Sequence, residues 1–381
     1  MSEERERIVA TVSVDLLDDV DPADKLVEAL GDGPFACVIV LVSPEVELDG
    51  FTAKLQGMID APHILGARTA GEICSEGYSE QKIVALGFPQ SHFAASARMF
   101  EALDDPDEVA IGREVLALRH DAQAQRQEFT NEFAFLLVDG LSRREDAFVL
   151  NISTALGSTQ LFGGSSGDGL RFESAPVFYN GQVRNNAAIV LVVRSDCQFK
   201  VFREDHFESS DKRLVVTGAI PEKRLVTEIN AEPAAPEYAR IVGIDPNQLS
   251  PFIFASHPIV VSVGDQHHVR AIQRVEDTGH LRFFASIDEG MVLTVAKARN
   301  ITSHLHEVLE GLSAEREPDL IFACDCILRR LEAEQKQEVL NMSAELRKHR
   351  VVGFSTYGEQ HNMLHVNQTL TGIAIYPPNH E

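Results

Sequence analysis

Apolar and polar positions along the chain follow an order that recurs. FACVIVLVS (35–43) is an almost unbroken run of apolar and β-branched residues, the pattern of a strand buried on both faces. FTAKLQGMID (51–60) then predicts a short helix, HILG (63–66) a strand that delivers the glycine turn GARTAGE (66–72), and KIVALGF (82–88) a further strand. The order returns as EFAFLLVDG (132–140), a polar connection, AFVLNIS (147–153), a helix-compatible stretch, QLFGGSSGDG (160–169) and the strand AAIVLVV (187–193). It returns again as DLIFACDC (319–326), a helical ILRRLEAEQKQEVLNMSAELRKHR (327–350), VVGFSTYGE (351–359) and TLTGIAIY (369–376). Agreement in both motif and flanking order argues for internal repetition of a βα unit.

Between the first two units, residues 106–129 predict a long helix with Val109, Val115, Leu116 and Leu118 as its apolar stripe. Residues 218–250 are rich in proline and turns, which places a domain boundary near 225. A β-rich series then begins at PFIFASHPIVVSV (251–263) and continues through HHVRAIQRV, HLRFFASI and MVLTVAKA, the pattern of an antiparallel meander. The expectation is an α/β protein of two domains, 8–225 and 226–377, built from repeated βα units with mixed sheets, the second domain carrying the meander.

Composition narrows the function classes. The 381 residues carry a formal charge of −24, which repels nucleic-acid phosphates and anionic membrane surfaces. No apolar run approaches the ~20 residues needed to cross a bilayer, and MSEERERIVATVSVDLL lacks the pattern of a secretory leader. Five cysteines in so long a chain suit reduced thiols better than a disulfide framework. Together these readings predict a cytoplasmic protein with neither a nucleic-acid nor a membrane partner.

The glycine turns are the first candidate chemistry. Their glycines permit positive φ or close backbone approach, Thr69 and Thr356 can bond neighbouring amides, and Glu72 and Glu359 supply charge. Amides beside a carboxylate suit an amino acid or other zwitterion. Arg68, Thr69, Gly71, Glu72, Ser165, Ser166, Asp168, Thr356, Gly358 and Glu359 are the candidate ligand contacts. The competing reading is a sharp structural turn repeated with the fold. GGSSGDG lacks the GK[ST] ending of a phosphate loop, and no dinucleotide fingerprint stands there. It does contain GxSxG, so a hydrolase using Ser165 or Ser166 is an alternative, although a strand and turn follow where the elbow requires a helix.

GARTAGEICSEGY followed by KIVALGF resembles the N-terminal part of the FIST domain, and FVLNIS, GGSSGDG and NNAAIVLVV its later portion. RAIQ, DEGMVLTVA, FACDCILRR and VVGFSTYGEQ are similar to the FIST C-terminal region. The resemblance implies a non-enzymatic sensory module that binds a small ligand and passes a signal to a partner. CDCILRR and DEGMVLTVA further resemble the nitric-oxide-sensing haem protein (NosP-type) subgroup, which implies haem, a gaseous ligand, and a partner histidine kinase or cyclic-di-GMP enzyme. Homo-oligomers are compatible with all of this.

A haem needs an imidazole in an apolar slot. His257, flanked by Phe252, Phe254, Ile259 and Val261, is the first candidate as haem and metal ligand, against the alternative of a buried, hydrogen-bonded histidine. His267 and His268 are the second choice, at a predicted exposed hairpin tip, and His361 is the third. His304 and His306 read as surface residues of a helix, and His361 and His365 as too far apart on an extended segment to share an ion. Cys324 and Cys326, with Cys74, read as core or pocket-edge residues better than as zinc ligands.

Overall fold

Three stretches of the chain fold into the same unit, each opening with a strand that the apolar pattern does not single out. The computed structural model describes residues 7–17, 20–263 and 266–378. The first unit runs β1 (Ala10–Asp15), α1 (Pro22–Leu30), β2 (Phe35–Val42), α2 (Leu48–Met58), β3 (Ile64–Arg68), the hairpin β4 (Glu72–Cys74) and β5 (Gly77–Ser79), then β6 (Lys82–Pro89). The second runs β7 (Phe93–Phe100), α3 (Glu108–Gln125), β8 (Asn131–Val138), α4 (Glu145–Leu156), β9 (Gln160–Ser165), the hairpin β10 (Val177–Tyr179) and β11 (Gln182–Arg184), then β12 (Ala188–Ser195). The third starts with β13 (Gln198–Glu204) and is interrupted by an insertion. The insertion comprises β14 (Phe207–Ile220), β15 (Leu225–Ile229), the two-residue β16 (Glu232–Pro233), α5 (Ala234–Val242), α6 (Pro251–Ser256), β17 (Ile259–Val263), β18 (Gln266–Val269), β19 (Ile272–Val275), β20 (Leu281–Phe283) and β21 (Val292–Ala298). The unit then resumes with α7 (Ile301–Ser313), β22 (Leu320–Cys326), α8 (Ile327–Gln335), α9 (Val339–Lys348), β23 (Val351–Thr356), the hairpin β24 (Glu359–His361) and β25 (Leu364–Val366), and β26 (Leu370–Tyr376).

Each unit builds one sheet, in the orders β1-β6-β2-β3, β7-β12-β8-β9 and β13-β26-β22-β23. Within each, one pair is parallel (β2 with β3, β8 with β9, β22 with β23) and the others are antiparallel. The exposed edge beside the glycine turn is then covered by a hairpin from another unit. β10–β11 pairs with β3, β24–β25 with β9, and β4–β5 with β23, so each sheet reaches six strands. A cyclic exchange of this kind leaves no unit able to close its sheet alone.

The three inner faces share one core, in which Phe162 meets Phe322 edge-on at 5.6 Å and Phe135 lies 5.1 Å from Phe322. The outer faces are covered by helices: Leu26 and Leu55 pack on the first sheet, Val115 and Ile152 on the second, Leu309 and Leu346 on the third. Burial on both faces is why β2 reads as a continuous apolar run, all eight of its residues being buried. The insertion forms a fourth, antiparallel sheet with its own core, as the meander pattern predicts. The compositional step near 225 falls inside it, where Ile220 pairs with Leu225.

Several local readings change. The helix predicted over 327–350 breaks at Gln337 (φ 58°) into α8 and α9. PFIFAS is the helix α6 and not the start of a strand, with Pro251 at its first turn and His257 as its C-cap. In α3 the buried stripe is Ile111, Val115, Leu118 and Ala122, while Val109 and Leu116 face solvent. That is the true 3.6-residue spacing.

Three glycines stand at matching places because the neighbouring strand passes too close for a side chain. A Cβ on Gly66 would sit 1.9 Å from the Val40 carbonyl, on Gly163 2.2 Å from that of Leu136, and on Gly353 1.9 Å from that of Ala323. Gly353→Val is therefore expected to cost more than ~3 kcal/mol in guanidinium denaturation. Gly112→Ala in α3, where nothing lies within 4 Å, is expected to be neutral or to gain up to ~1 kcal/mol. An unaltered midpoint for Gly353→Val would refute the close approach.

Candidate functional site

The three glycine turns meet at one place and hydrogen-bond to one another through the backbone. Ala70 N–H donates to Ser355 O (3.0 Å), Gly167 N–H to Arg68 O (3.0 Å) and Tyr357 N–H to Ser165 O (3.3 Å). A second set runs the opposite way around the three turns: Ser355 N–H to Gly71 O (2.7 Å), Ser165 N–H to Gly358 O (2.8 Å) and Arg68 N–H to Pro176 O (3.1 Å). Ala70, Gly167 and Tyr357 are thus equivalent, and a Cβ on Gly167 would lie 2.9 Å from both Ala70 and Tyr357. The amides that the sequence offers to a ligand are in large part used to join the units.

The hydroxyls and acids of the turns serve the same joint. Thr69 and Ser166 bond back to the carbonyls of Val42 (3.4 Å) and Val138 (3.2 Å) at the ends of β2 and β8. Thr69 Oγ1 donates to Glu72 (2.5 Å), and Thr356 Oγ1 donates to Glu359 in the matching position. Lys82 N–H closes on Glu72, and Thr369 N–H and Oγ1 on Glu359. Burial, the dominant influence, lifts the Glu72 carboxyl to about 7 and the Glu359 carboxyl to about 8 against these bonds. Asp168 differs. Burial also pushes it upward, but bonds from Tyr357 OH and the backbone N–H groups of Ser174, Glu173 and Phe172 outweigh this and hold it below the ordinary carboxylate range.

A cavity of about 330 Å³ opens beside this joint, between Ser43–Glu45, the first turn, the loop 168–171 and α8. Gly71, Glu72 and Asp168 of the predicted contacts line it, whereas Arg68, Thr69, Ser165, Ser166, Thr356, Gly358 and Glu359 do not. Its remaining charges were not singled out from the sequence: Glu45, Glu80, Glu334, Arg171 and Arg330. Arg330 crosses directly over Gly71 (φ 130°), where a Cβ would be 2.0 Å from its Nη1. It donates to Ser79 O (3.2 Å) and Glu80 (2.7 Å) and pairs with Glu334 (3.4 Å). Arg171 pairs with Glu45 at 3.0 Å. The wall therefore carries five carboxyls and two guanidiniums, a setting that attracts an ammonium group.

Beneath the cavity lies a buried polar chain. Arg329 Nε donates to Asp325 (2.7 Å), Tyr78 OH donates to the same carboxylate, Arg329 Nη1 lies 3.0 Å from His206 Nδ1, and His206 Nε2 lies 3.0 Å from Glu332. The signal available in sequence is a second repeat, DGLSRRE at 139–145 against DCILRRLE at 325–332. Strand register matches Val138 with Asp325, so the two motifs are offset by one residue in the structure.

The histidines scatter. His257 Nδ1 donates to Ile253 O (3.2 Å), which leaves Nε2 free as a metal ligand would need. His257 does not line the cavities of about 330, 260, 230 and 420 Å³ found among the described residues. His268 is buried, contrary to the exposed tip expected of it, and its Nδ1 accepts from Arg203 (2.7 Å), so the neutral ring carries its proton on Nε2. His361 lies in the hairpin β24–β25, where burial, then Arg203 and His268, push it down to about 4. Nε2 of His257 is thus the ligand atom on which the haem reading rests among the described residues. The side chain of His267 lies outside those described. His304 is buried instead of exposed, and the hairpin brings His361 and His365 onto paired strands.

The five cysteines are free and buried, and burial pushes the thiols of Cys324 and Cys326 well up. Among the described residues, His92, Asp196 and Cys197 are the group of potential metal ligands within reach of one ion, but burial lifts the Cys197 thiol to about 12. Ser165 and Ser166 are fully buried, Ser166 donates to Ala175 O, and Asp168 is occupied by its loop. Gln360 Nε2 donates to Ser165 Oγ (2.9 Å), so both hydroxyls are engaged inside the turn.

Comparison with known families matches the FIST N domain over residues 36–232 and the FIST C domain over residues 234–362. No curated protein matches the chain.

The raised carboxyls fix a pH dependence. A group whose folded value lies above its unfolded value binds its proton more tightly when folded, so its contribution is complete below about 4.5 and is lost as pH rises through about 7 for Glu72 and about 8 for Glu359. The denaturation midpoint is expected to fall between pH 5 and pH 8.5, and Glu359→Gln to flatten that slope. An equal slope in wild type and variant would show that Glu359 is ionised in the folded protein.

Proposed function

This chain belongs to the FIST family, whose domains are small-ligand sensors of signalling proteins, and from that premise we propose that it senses an amino acid or a related small amine in the cavity beside the glycine turns. The observation that carries this reading is the wall itself: Glu72, Asp168, Glu45, Glu80 and Glu334 against Arg171 and Arg330. An ammonium group would pair with Glu72, and a ligand carboxylate would find Arg171 or Arg330. A volume of about 330 Å³ suits a ligand of that size.

A signal requires that the ligand favour one of two conformations. Glu72 is bonded to Thr69 of the joint, and Asp168 holds the loop 168–174 through three backbone amides. A ligand that draws on either carboxylate competes with those bonds and so couples occupancy to the arrangement of turn and loop. The regulated partner in this proposal is a signalling protein such as a histidine kinase or a cyclic-di-GMP enzyme, and the location is cytoplasmic. Among the described residues no helix is long and apolar enough to cross a membrane, and the five cysteines are unpaired.

The haem and nitric-oxide reading rests on the resemblance of CDCILRR and DEGMVLTVA together with the free Nε2 of His257. Its test is an absorption spectrum of protein produced with iron and haem precursor. A Soret band that His257→Ala removes would replace the amine reading, and a featureless spectrum would end the haem reading.

Calorimetric titration with a panel of amino acids and amines tests the principal proposal. Because Glu72 must be ionised to pair with a cation, affinity is expected to weaken as pH falls from 8 to 6, through the value near 7. Glu72→Gln is expected to weaken binding about tenfold or more by removing a charge-assisted hydrogen bond, and to abolish that pH dependence. Absence of binding by every member of the panel, or binding indifferent to Glu72→Gln, would sink the assignment.

A further inference from the structure

On the far side of the loop 168–174 lies a second cavity, of about 230 Å³, between the residues that lead into α4 and the inserted sheet. Its wall carries Arg143, Arg224, Arg274 and Arg282 together with the rings of Phe172 and Phe284, and no acidic residue lines it. Such a surface is out of character for a chain of formal charge −24.

Three of these guanidiniums are held from behind. Arg224 pairs with Glu145 (2.5 Å) and Asp146 (3.2 Å), Arg274 pairs with Glu276 (3.2 Å), and Arg282 pairs with the same Glu276. The fourth has no such partner: Arg143 is exposed and makes no hydrogen bond or ion pair among the described residues. In the similar motif of the third unit, Arg329 is buried against Asp325. In the second unit Asp139 is taken by the N–H groups of Leu141 (2.8 Å) and Asn186 (2.6 Å), and Arg143, in left-handed backbone (φ 59°), goes to the arginine cluster instead. Burial, then the charges of Arg282 and Arg224, push the Arg143 guanidinium below its ordinary value. Glu145, Asp146 and Glu276 offset three of the four guanidiniums, and Arg143 adds the charge in excess.

We propose that this cavity is an oxyanion site that takes the phosphate or carboxylate group of a small molecule, with Arg143 as the free guanidinium that grips it. Planar guanidiniums meet either oxyanion with paired N–H donors. Arg224, Arg274 and Arg282 remain in their ion pairs and supply the positive field, and Phe172 and Phe284 offer apolar faces to the remainder of the ligand. The site shares no lining residue with the amine cavity.

Calorimetric titration of the full chain at low ionic strength, with inorganic phosphate in one arm and malate in the other, tests this. Saturable binding of either is expected, and whichever binds more tightly names the group. Arg143→Gln and Arg274→Gln, both on exposed side chains, are each expected to weaken it about tenfold. Glu72→Gln, across the loop, is expected to leave it unchanged, so that this inference and the amine reading fail separately. Binding of neither anion, or binding unaffected by Arg143→Gln in a protein of unaltered melting temperature, would overturn the proposal.

Discussion

Six backbone hydrogen bonds among three turns hold this molecule in its arrangement. Each unit ends its third strand with N–H and C=O groups that its own sheet cannot satisfy, and another unit supplies the partners. The same geometry presents each unit's hairpin to a foreign sheet edge, so that sheet closure and unit assembly are one event. Bonds of this type are each worth only ~1 kcal/mol net. Their importance is that they are buried and cyclic: displacing one turn leaves donors and acceptors unpaired in all three units.

Equivalence of the backbone frees the side chains to differ, and function lies in those differences. Around the end of the first parallel strand the units carry Glu45 and Glu47, Asp139 and Arg143, and Asp325 and Arg329. The third unit seals its acid and base into a buried pair. The second has turned its arginine outward, and the first has acids there. One region of the scaffold thus yields a structural ion pair, a basic cavity and, through Glu45, part of an acidic wall. The loop that separates the two cavities presents Asp168 to one and Phe172 to the other, held between them by a single carboxylate.

The insertion belongs to this logic as well. It enters the third unit between β13 and α7, at a surface connection where added chain does not interrupt the shared core. From there it contributes Arg224, Arg274 and Arg282 to the basic cavity and His206 to the polar chain under the acidic one. A sequence boundary drawn by composition does not reveal such reach, because the contacts span up to 126 residues of chain.

The repeat was legible in the sequence because its causes are local. Strands buried on both faces must be apolar throughout, and glycines must recur where a neighbouring backbone passes within contact, so FACVIVLVS, EFAFLLVDG and DLIFACDC announce themselves. Of the residues marked at the glycine turns, Gly71, Glu72 and Asp168 line a cavity. Arg171, Arg330, Glu45 and Glu334 stayed unmarked, since an exposed charge has the same pattern whether it faces bulk water or a cleft. For the same reason His268 and His304 read as surface residues although the tertiary structure buries them. Period and turn chemistry determined the units, and only the meeting of three of them, with one insertion, decided which charges face each other.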